Sequence, residues 1–472
     1  MNHLLISSLL VQLTLAGIPE EDNALPTVNI TSPEPGHYTI PVDAGFDPDI
    51  LRIGGTKHLF KPLGGDNFCN TWAADDKIYV TVDDGMGWPV DTGTPAIEQN
   101  NRVWALNGGP ADYTPEYLPG FPDYDLTYLW YGFGIVSVDS ILYYAISTPY
   151  SPDKRGIKLL YSPDFGSNWY RHDGVNDTIM QYVENENTMF FYNEHMNLFS
   201  YIDFVQFGKD YQDSKDGYVY LYCKLTNPTP SIYLARVPRG HKNIVNKTKY
   251  EYFKGYTEDK MPEWTSDIYL SKCVLNFPEG YYHSAFLPSV VYNKGLDLYI
   301  MVVGARFEDR YNGGPSKLTF YWSKNPWGDW LSFYHSTCWI GDSPDNILYQ
   351  PKLISKFNSE DGKTMYMNYS NCRNHWGDRY VFNQQKITLE LDNPAFYKKG
   401  DSIIIKAEAL DSDGDIVKVE FYKDLVLLGA DTSSQFEYVW QNAEVGNFKI
   451  MVLAYDNKGA SSASSIRVVV TP

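Results

Sequence analysis

Carboxylate side chains stand at the ends of several predicted β-strands in this chain of 472 residues. Asp66 opens the segment DNFCNTW, and Asp83 and Asp84 follow the strand KIYVTV. Asp203 precedes FVQFG in the same way, and Glu279 precedes AFLPSVV. Hydrolysis of a glycosidic bond needs two carboxyl groups, one protonated and one ionised, and mutual proximity separates their pKa values. These residues therefore predict glycoside hydrolysis, provided that the fold brings them together.

A repeated unit along the chain indicates how the fold could do so. A tight polar turn, followed by a strand that alternates Tyr or Met with aliphatic residues, occurs five times at intervals of about 60 to 80 residues. This spacing suits one four-stranded blade plus its loops, so we expect an all-β fold with a five-bladed β-propeller over residues 51–383. The copies are AADDKIYVTV from Ala73, SVDSILYYAI from Ser137, DSKDGYVYLY from Asp213, YNKGLDLYIM from Tyr292 and SEDGKTMYMN from Ser359.

In a propeller, the start of each blade's first strand and the end of its second strand converge at one end of the central axis, where function is usually located. This geometry places Asp66 near one of the paired residues Asp83 and Asp84. We expect Asp66 to be an essential carboxylate that acts with Asp84, or with Asp203 or Glu279 from across the axis. The residues expected to bind substrate at the same end are Asn67, Asn70, Trp88, Trp130, Tyr282, His283 and Arg306.

From about residue 386 the pattern changes to short alternating strands at the spacing of a β-sandwich. The segments VEFYKD, LLG and YDNKG resemble the bacterial immunoglobulin-like modules of secreted glycan-degrading enzymes, so we expect such a domain over residues 386–472. Asp411, Asp413 and Asp415 could hold Ca²⁺ there. A solvated turn is the favoured interpretation, because an EF-hand also needs Glu at its twelfth position. No other metal and no cofactor is expected.

The N-terminal residues predict export from the cell. Residues 1–17 contain an apolar run from Leu4 to Ala16 that suits a signal peptide and is too short to span a bilayer. Residues 18–50 are rich in Pro, Glu and Thr and predict a linker or an edge strand. No later stretch has the length of a membrane helix. We therefore expect a secreted or cell-surface protein, and a monomer.

The charge of the chain excludes some classes of partner. Its formal net charge is −19 and it has no long basic run, so it lacks the electrostatic footprint of a nucleic-acid-binding protein. The same acidic excess disfavours binding to anionic membrane surfaces and favours a neutral or cationic substrate. A polysaccharide or oligosaccharide is the partner that agrees with both the charge and the paired carboxylates.

One turn carries a further signature of the propeller fold. Ser162, Asp164, Gly166 and Trp169 form the pattern S-x-D-x-G-x-x-W of the Asp-box turn in sialidase-like propellers. The Ser and Asp side chains would bond backbone N–H groups of the turn, Gly would take the positive φ, and Trp would pack beneath. Such turns lie at the end of the propeller away from the active site, so we interpret this one as a feature of the fold.

The segments GGDNFCNTWAADDKIYVTVDDG, FGKDYQDSKDGYVYLY, LARVP and NPWGDW together resemble the propeller domain of a bacterial family that includes endo-D-arabinanases. The resemblance extends from Gly64 to about Trp330. It implies an endo-acting glycoside hydrolase with Asp66 and Asp84 in the acidic pair, and it leaves the sugar open, D-arabinan being one candidate. Lys209 and Asp210 belong to the family's most recognisable stretch, but the predicted topology places them in a turn away from the site, so we expect them to be structural.

Two other functions remain as alternatives. A polysaccharide lyase would use Tyr282 or His283 as base and Arg306 to neutralise a uronate, and it would release an unsaturated product that absorbs ultraviolet light. A glycan-binding or adhesion propeller would bind tightly without turnover. A sialidase is disfavoured because it needs a cluster of arginines for the substrate carboxylate, and only Arg306, Arg310 and Arg373 fall in loops at the expected active face.

Overall fold

The regular secondary structure of the described residues is almost entirely β-strand, which confirms the predicted all-β class. The chain divides into a large unit, residues 30–389, and a small unit, residues 1–29 with 390–472. The structure, a computed structural model, describes residues 9–16, 27–31, 64–88, 101–121, 123–124, 130–147, 155–176, 179–180, 185–224, 231–259, 261–276, 287–305, 316–328, 330–339, 348–371, 381–392, 395–411, 415–424, 426–433, 435–457 and 461–471.

The strands of the large unit form antiparallel sheets that follow one another along the chain. Two strands near the N-terminus are β1 (Leu9–Ala16) and β2 (Thr27–Thr31). Sheet 1 contains β3 (Gly64–Asp66), β4 (Asn70–Trp72), β5 (Ile78–Gly87), β6 (Asn101–Asn107) and β7 (Thr114–Tyr117). A short strand, β8 (Asp123–Tyr124), separates it from sheet 2, which contains β9 (Tyr131–Val138), β10 (Ile141–Ser147), β11 (Gly156–Ser162) and β12 (Tyr170–Arg171). Next come β13 (Ile179–Met180), paired in parallel with β8, and β14 (Phe191–Tyr192), beside β11.

Three further sheets complete the large unit. Sheet 3 contains β15 (Ile202–Phe204), β16 (Tyr218–Lys224), β17 (Ser231–Pro238), β18 (Glu251–Tyr256), β19 (Pro262–Thr265) and β20 (Cys273–Asn276). Sheet 4 contains β21 (Ser289–Asn293), β22 (Leu298–Ala305), β23 (Ser316–Ser323) and β24 (Leu331–Trp339). Sheet 5 contains β25 (Leu348–Leu353), β26 (Thr364–Asn371) and β27 (Val381–Asp392), with β2 as its outer strand. The described helical segments are short: His241–Ile244 is α-helical, and the 3₁₀ turns are His195–Asn197, Lys209–Tyr211, Lys247–Lys249, Ile268–Leu270 and Ser355–Phe357.

Each of the five sequence repeats forms the second strand of its sheet. These strands are β5, β10, β16, β22 and β26, and each pairs with the first strand of its sheet through a hairpin. In β10, six successive residues from Leu142 to Ser147 are buried. A strand with both faces buried reads as a run of apolar and aromatic residues, which explains why the repeats are so recognisable in the sequence.

Among the described residues of the large unit, the five sheets are joined in cyclic order by hydrogen bonds near their first strands. Sheet 1 is joined to sheet 2, sheet 2 to 3, sheet 3 to 4, sheet 4 to 5, and sheet 5 back to sheet 1. In that order the bonds run from Ser137 N to Thr71 Oγ1 (2.9 Å), from Gln206 Nε2 to Ile135 O (2.9 Å), from Gln206 N to Val290 O (2.9 Å), from Leu353 N to Ser289 Oγ (3.0 Å) and from Asn70 Nδ2 to Asn368 Oδ1 (3.0 Å).

The boundary between the two units lies slightly later than the sequence indicated. The segment KITLEL, expected to open the sandwich at residue 386, instead continues β27 of sheet 5, where Lys386, Ile387 and Thr388 pair with β26. The chain divides between residues 389 and 390. The alternation of buried residues continues through Ile387 and Leu389 without a turn, so the sequence pattern gives no sign of the boundary.

The small unit is a β-sandwich made mostly of the C-terminal residues. Its core contains Ile403, Val419, Phe421, Ile450 and Val468, all buried. Its C-terminal strands are β28 (Ala395–Lys398), β29 (Ile403–Asp411), β30 (Ile416–Lys423), β31 (Val426–Asp431), β32 (Glu437–Trp440), β33 (Gly446–Asp456) and β34 (Ser461–Thr471). One sheet has the order β28-β34-β33-β30-β31, and the other has the order β1-β29-β32.

The N-terminal strand β1 falls within the predicted signal peptide. It pairs in antiparallel register with β29, from Leu9 opposite Asp411 to Ala16 opposite Ile404. Export therefore stays a prediction from the sequence. In the part of the chain that the structure describes, there is no helix with the length and hydropathy of a membrane span.

The bond that joins sheet 5 to sheet 1 gives a first prediction. Asn368 is buried; its Oδ1 accepts from Asn70, and its Nδ2 donates to Phe68 O at 2.9 Å. Asn368→Ala removes both bonds and leaves buried partners behind, so it should lower the free energy of unfolding by about 2 kcal/mol, measured by urea denaturation. Asn187→Ala, at an exposed turn, is the control and should change stability little. Equal urea midpoints for the two variants would show that the junction does not stabilise the large unit.

Candidate functional site

Asp66 lies at the end of β3, the innermost strand of sheet 1, and its side chain is buried. The preceding residue, Gly65, has φ of +148°, and a Cβ there would lie 2.3 Å from Val82 Cγ1 and 2.7 Å from Asp83 O. Only glycine tolerates this conformation and this contact. The glycine therefore lets β3 approach β5 closely, and this places Asp66 against the end of the second strand.

The carboxylate opposite Asp66 is Asp83, one residue before the partner expected from the sequence. Asp66 and Asp83 are register partners between β3 and β5, and residues directly opposite on one face have Cβ atoms about 5 Å apart. Asp84 is the next residue of β5, and its side chain lies outside the described part of the structure. Adjacent residues of a strand point to opposite faces, so a shift of one residue in the register changes which of them faces the neighbouring strand. The alternation of the sequence alone therefore could not decide whether Asp83 or Asp84 lies opposite Asp66.

Asp83 is fully buried and accepts hydrogen bonds from two elements. Gly132 N of β9 lies 3.0 Å from both of its carboxylate oxygens, and Asn67 Nδ2 lies 2.7 Å from Oδ2. Asn67 itself has φ of +49°, and its carbonyl accepts the Thr81 hydroxyl at 2.6 Å. Asn67, expected to bind substrate, thus orients Asp83 in this structure. Donors from sheets 1 and 2 hold the Asp83 carboxylate as an acceptor.

Asp203, in β15 of sheet 3, forms a buried ion pair with Lys352 of β25 in sheet 5. Lys352 Nζ lies 2.6 Å from Asp203 Oδ2, and the two side chains are 2% and 8% exposed. Asp203 Oδ1 accepts the backbone N–H of Phe204 at 2.9 Å. Burial alone would lower the pKa of Lys352, but the Asp203 carboxylate and a bond with Cys69 raise it above its usual value. Lys352 therefore stays charged beside Asp203.

Tyr201 joins these groups and was not identified from the sequence. Its hydroxyl accepts a bond from Gln350 Nε2 at 3.1 Å, and its ring packs against Phe133 with centroids 3.8 Å apart. Burial raises its pKa, and the nearby charges of Asp66 and Asp83 raise it further. Tyr201 is therefore close to both carboxylates. Its position two residues before Asp203, on the same face of an extended segment, was the available sequence signal.

Several other residues expected at the site have different surroundings. Trp88 is buried in an aromatic cluster with Trp104 and Phe382, at centroid distances of 5.6 and 5.2 Å. Trp130 is fully buried, with Lys158 Nζ 4.7 Å from its ring centroid. Both indoles pack as core residues, and Asn70 bonds Asn368 at the junction of sheets 5 and 1. The remaining expected site residues lie outside the described part of the chain: Glu279, Tyr282, His283 and Arg306.

The segment FGKDYQDSKDG connects two sheets at a distance from the carboxylates. Asp210 is buried and accepts the Ser137 hydroxyl at 2.7 Å and the Ser140 N–H at 2.9 Å, which ties sheet 3 to a turn of sheet 2. Lys209 forms an ion pair with Asp76 at 3.1 Å. These contacts support a structural role for both residues.

The turn at residues 162–169 is held by its own polar side chains. Gly166 N donates to Ser162 Oγ at 2.8 Å, and Asn168 N donates to Asp164 Oδ1 at 2.8 Å. Gly166 has φ of +91°, and the buried Trp169 donates its indole N–H to Gly166 O at 3.2 Å. All of these contacts are internal to the turn, so they stabilise local structure.

The described residues contain no group of three or more His, Cys, Asp or Glu side chains that could hold a metal ion. Of the acidic turn in the small unit, Asp411 ends β29 and Asp415 is exposed, while Asp413 falls outside the described ranges. The suggested Ca²⁺ site therefore stays an expectation from the sequence.

Comparison with known proteins identifies one family. Residues 389–465 match the family described as a bacterial Ig domain, which confirms the immunoglobulin-like domain predicted at the C-terminus. No curated protein matches the chain. The fibronectin(III)-like modules of CbhA from Clostridium thermocellum are 34% identical, with a TM-score of 0.16, over 17% of this chain and 89% of theirs. The family match covers the C-terminal domain alone.

Solved structures similar to a larger part of the chain are hydrolases. A proposed hydrolase from Bacteroides ovatus is 16% identical, with a TM-score of 0.41, over 77% of this chain and 93% of that one. The arabinanase of Bacillus subtilis is 12% identical, with a TM-score of 0.38, over 70% of this chain and 94% of that one. Other similar structures are glycoside hydrolases of family 43.

The bonds around Asp83 give a second prediction. Asp83→Asn replaces one carboxylate oxygen by an NH₂ group that cannot accept from Gly132 N or Asn67 Nδ2. Because hydrogen bonds to a charged group are the stronger ones, unfolding free energy should fall by about 2 kcal/mol or more, measured by urea denaturation. Asp259→Asn, at an exposed turn, makes the same chemical change without loss of buried bonds. If both variants unfold at the same urea concentration, Asp83 does not stabilise this junction.

Proposed function

We propose that the large unit is a five-bladed β-propeller that hydrolyses glycosidic bonds in a polysaccharide, with Asp66 as an essential carboxylate. The cyclic hydrogen bonds among the five sheets support the propeller. The pairing of Asp66 with Asp83 in sheet 1, with Tyr201 of sheet 3 near both carboxylates, is the observation that carries the activity. Paired carboxyl groups at one site are the requirement of this reaction.

The contacts of the three carboxylates favour different roles. Asp83 accepts hydrogen bonds from Gly132 and Asn67, which favour its ionised form. Asp203 is held in an ion pair with Lys352, which lowers the pKa of Asp203, although burial has the larger effect and raises that pKa above its usual value. An ionised acceptor does not protonate a leaving group. We therefore assign proton exchange and attack to Asp66 together with Asp84 or Glu279, the remaining acids that the sequence places at this end of the sheets.

The substrate follows from the sequence resemblance. The segments between Gly64 and Trp330 that resemble endo-D-arabinanases include Asp66 and the strand that carries Asp84. We propose an endo-acting enzyme that cuts D-arabinan outside the cell, with the immunoglobulin-like domain as an appended module. A neutral arabinan agrees with the acidic chain, because an anionic polymer would be repelled.

Replacement of Asp66 tests the proposal. Asp66→Asn keeps the size of the side chain but cannot exchange a proton or attack carbon, so turnover of arabinan oligosaccharides should fall about 10²- to 10⁴-fold. The melting temperature and oligosaccharide binding should change little, as measured by calorimetry. The expectation concerns kcat, quantified by chromatography of the released oligosaccharides.

Asp210→Asn is the matched control for a buried structural carboxylate. It should lower the melting temperature by weakening the bonds to Ser137 and Ser140, yet leave the turnover of the folded protein unchanged. If Asp66→Asn retains more than about a tenth of wild-type activity, the assignment of Asp66 is wrong. Tight binding of arabinan by the wild-type protein without any turnover would contradict the enzymatic proposal as a whole.

A further inference from the structure

Two side chains of sheet 5 reach sheet 3, which is not its neighbour in the cyclic order. Lys352 pairs with Asp203 at 2.6 Å, and Gln350 donates to the Tyr201 hydroxyl at 3.1 Å. The contacts therefore connect the first strands of sheets 3 and 5 directly. Tyr201 lies near the Asp66 and Asp83 carboxylates, and the Lys352–Asp203 pair and Asp83 both lie near Cys69.

An irregularity in β25 accompanies these contacts. The register with β26 shifts between Tyr349 and Lys352, so that one extra residue is inserted in β25, and Gln350 has φ of +49°. A bulge of this kind redirects side chains, and a non-glycine residue in the left-handed region is strained. Such strain persists only where the surrounding structure enforces it, and it is concentrated at functional sites. The bulge is thus a local feature that turns two polar side chains towards sheet 3.

The Lys352–Asp203 pair is costly to bury and costly to break. Both charges have lost nearly all contact with water, and removal of one partner would leave the other charge uncompensated. Replacement of both partners by neutral groups is commonly tolerated in proteins, so stability alone gives no reason for the pair. The location of the Lys352–Asp203 pair near other charged groups of the candidate site gives a functional reason to retain it.

We propose that Lys352 is a positioning residue of the candidate site: it orients Asp203 and compensates its negative charge near Cys69 and Asp83. This inference rests on the proposed function for its effect on turnover. Without Lys352, ionisation of Asp203 would add an uncompensated negative charge near Cys69 and Asp83 as the pH rises. The titratable groups near the pair are Cys69, Asp66, Asp83 and Tyr201.

The test uses Lys352→Met, which removes the charge at similar length, and the double variant Lys352→Met with Asp203→Asn. Burial already raises the pKa of Asp203 in the wild type, and Lys352 counteracts part of this effect. In the single variant the counteracting charge is gone, so the folded pKa lies further above the unfolded value, and stability is lost as the pH rises through that folded pKa. Relative to the double variant, the melting temperature of the single variant should therefore fall by about 5 °C between pH 5 and pH 7.5, measured by calorimetry.

Turnover gives the second measurement. The kcat of Lys352→Met relative to wild type should decline about tenfold over the same pH range, with a smaller change in KM, because the extra charge acts on the reacting carboxylates. The double variant should show no such decline, since Asn cannot ionise. A merely structural role for Lys352 would lower activity equally at every pH.

Lys224→Met is the matched control. Lys224 is also a buried lysine, but it has no acidic partner among the described residues, and burial lowers its pKa to about 8. The difference in melting temperature between this variant and wild type should change little between pH 5 and pH 7.5, since Lys224 is predominantly charged over that interval. This variant separates the effect of the Asp203 pairing from that of losing a buried ammonium group.

The outcomes separate this inference from the proposed function. One outcome is that wild type has no turnover on arabinan or other glycans, while the difference in melting temperature between the single and double variants depends on pH. The proposed function then fails, and the compensation of Asp203 by Lys352 stands. If wild type is active and both this difference and the kcat ratio are independent of pH, the inference about Lys352 is overturned. Should Lys352→Met fail to fold, folding of the double variant would support it, and failure of both would contradict it.

Discussion

In the described part of the large unit, the first strand of each sheet is an edge strand, and apart from an isolated bridge between Gln206 and Val291 its outer backbone groups are not paired with a strand of the next sheet. Side chains of the adjacent sheets satisfy some of these groups: Thr71 accepts from the backbone of sheet 2, Gln206 donates to it, and Ser289 accepts from sheet 5. The innermost positions must therefore be polar for structural reasons. This requirement creates an environment in which buried carboxylates can be accommodated.

The carboxylates at these positions are compensated in different ways. Asp83 is held by neutral donors, a backbone N–H and an amide, whereas Asp203 is held by the ammonium group of Lys352. Both arrangements depend on precise backbone geometry, provided by Gly65 in β3 and by the bulge at Gln350 in β25. The architecture therefore places Asp83 opposite Asp66 and pairs Asp203 with Lys352, and the unusual backbone conformations occur in strands that carry these groups.

Local patterns were sufficient to predict much of this arrangement. The five repeats predicted the five second strands because buried strands carry a strong apolar and aromatic signal, and Asp66 was located because it opens the strand before the first repeat. The choice between Asp83 and Asp84 depended on a one-residue register set by an irregular β3. Lys352 could not be identified, because its partner lies far along the chain and a bulge without sequence signature orients it.

A crystal structure of the Asp66→Asn variant with a bound arabinan oligosaccharide would test the central claim most directly. The account predicts that the sugar chain lies across the end of the five-sheet ring where Asp66 and Asp83 meet. One glycosidic oxygen or anomeric carbon should lie within about 3.2 Å of the side chain at position 66, the reach of a proton-transfer group. An oligosaccharide bound elsewhere on the large unit, or one that approaches this end without contacting position 66, would contradict it.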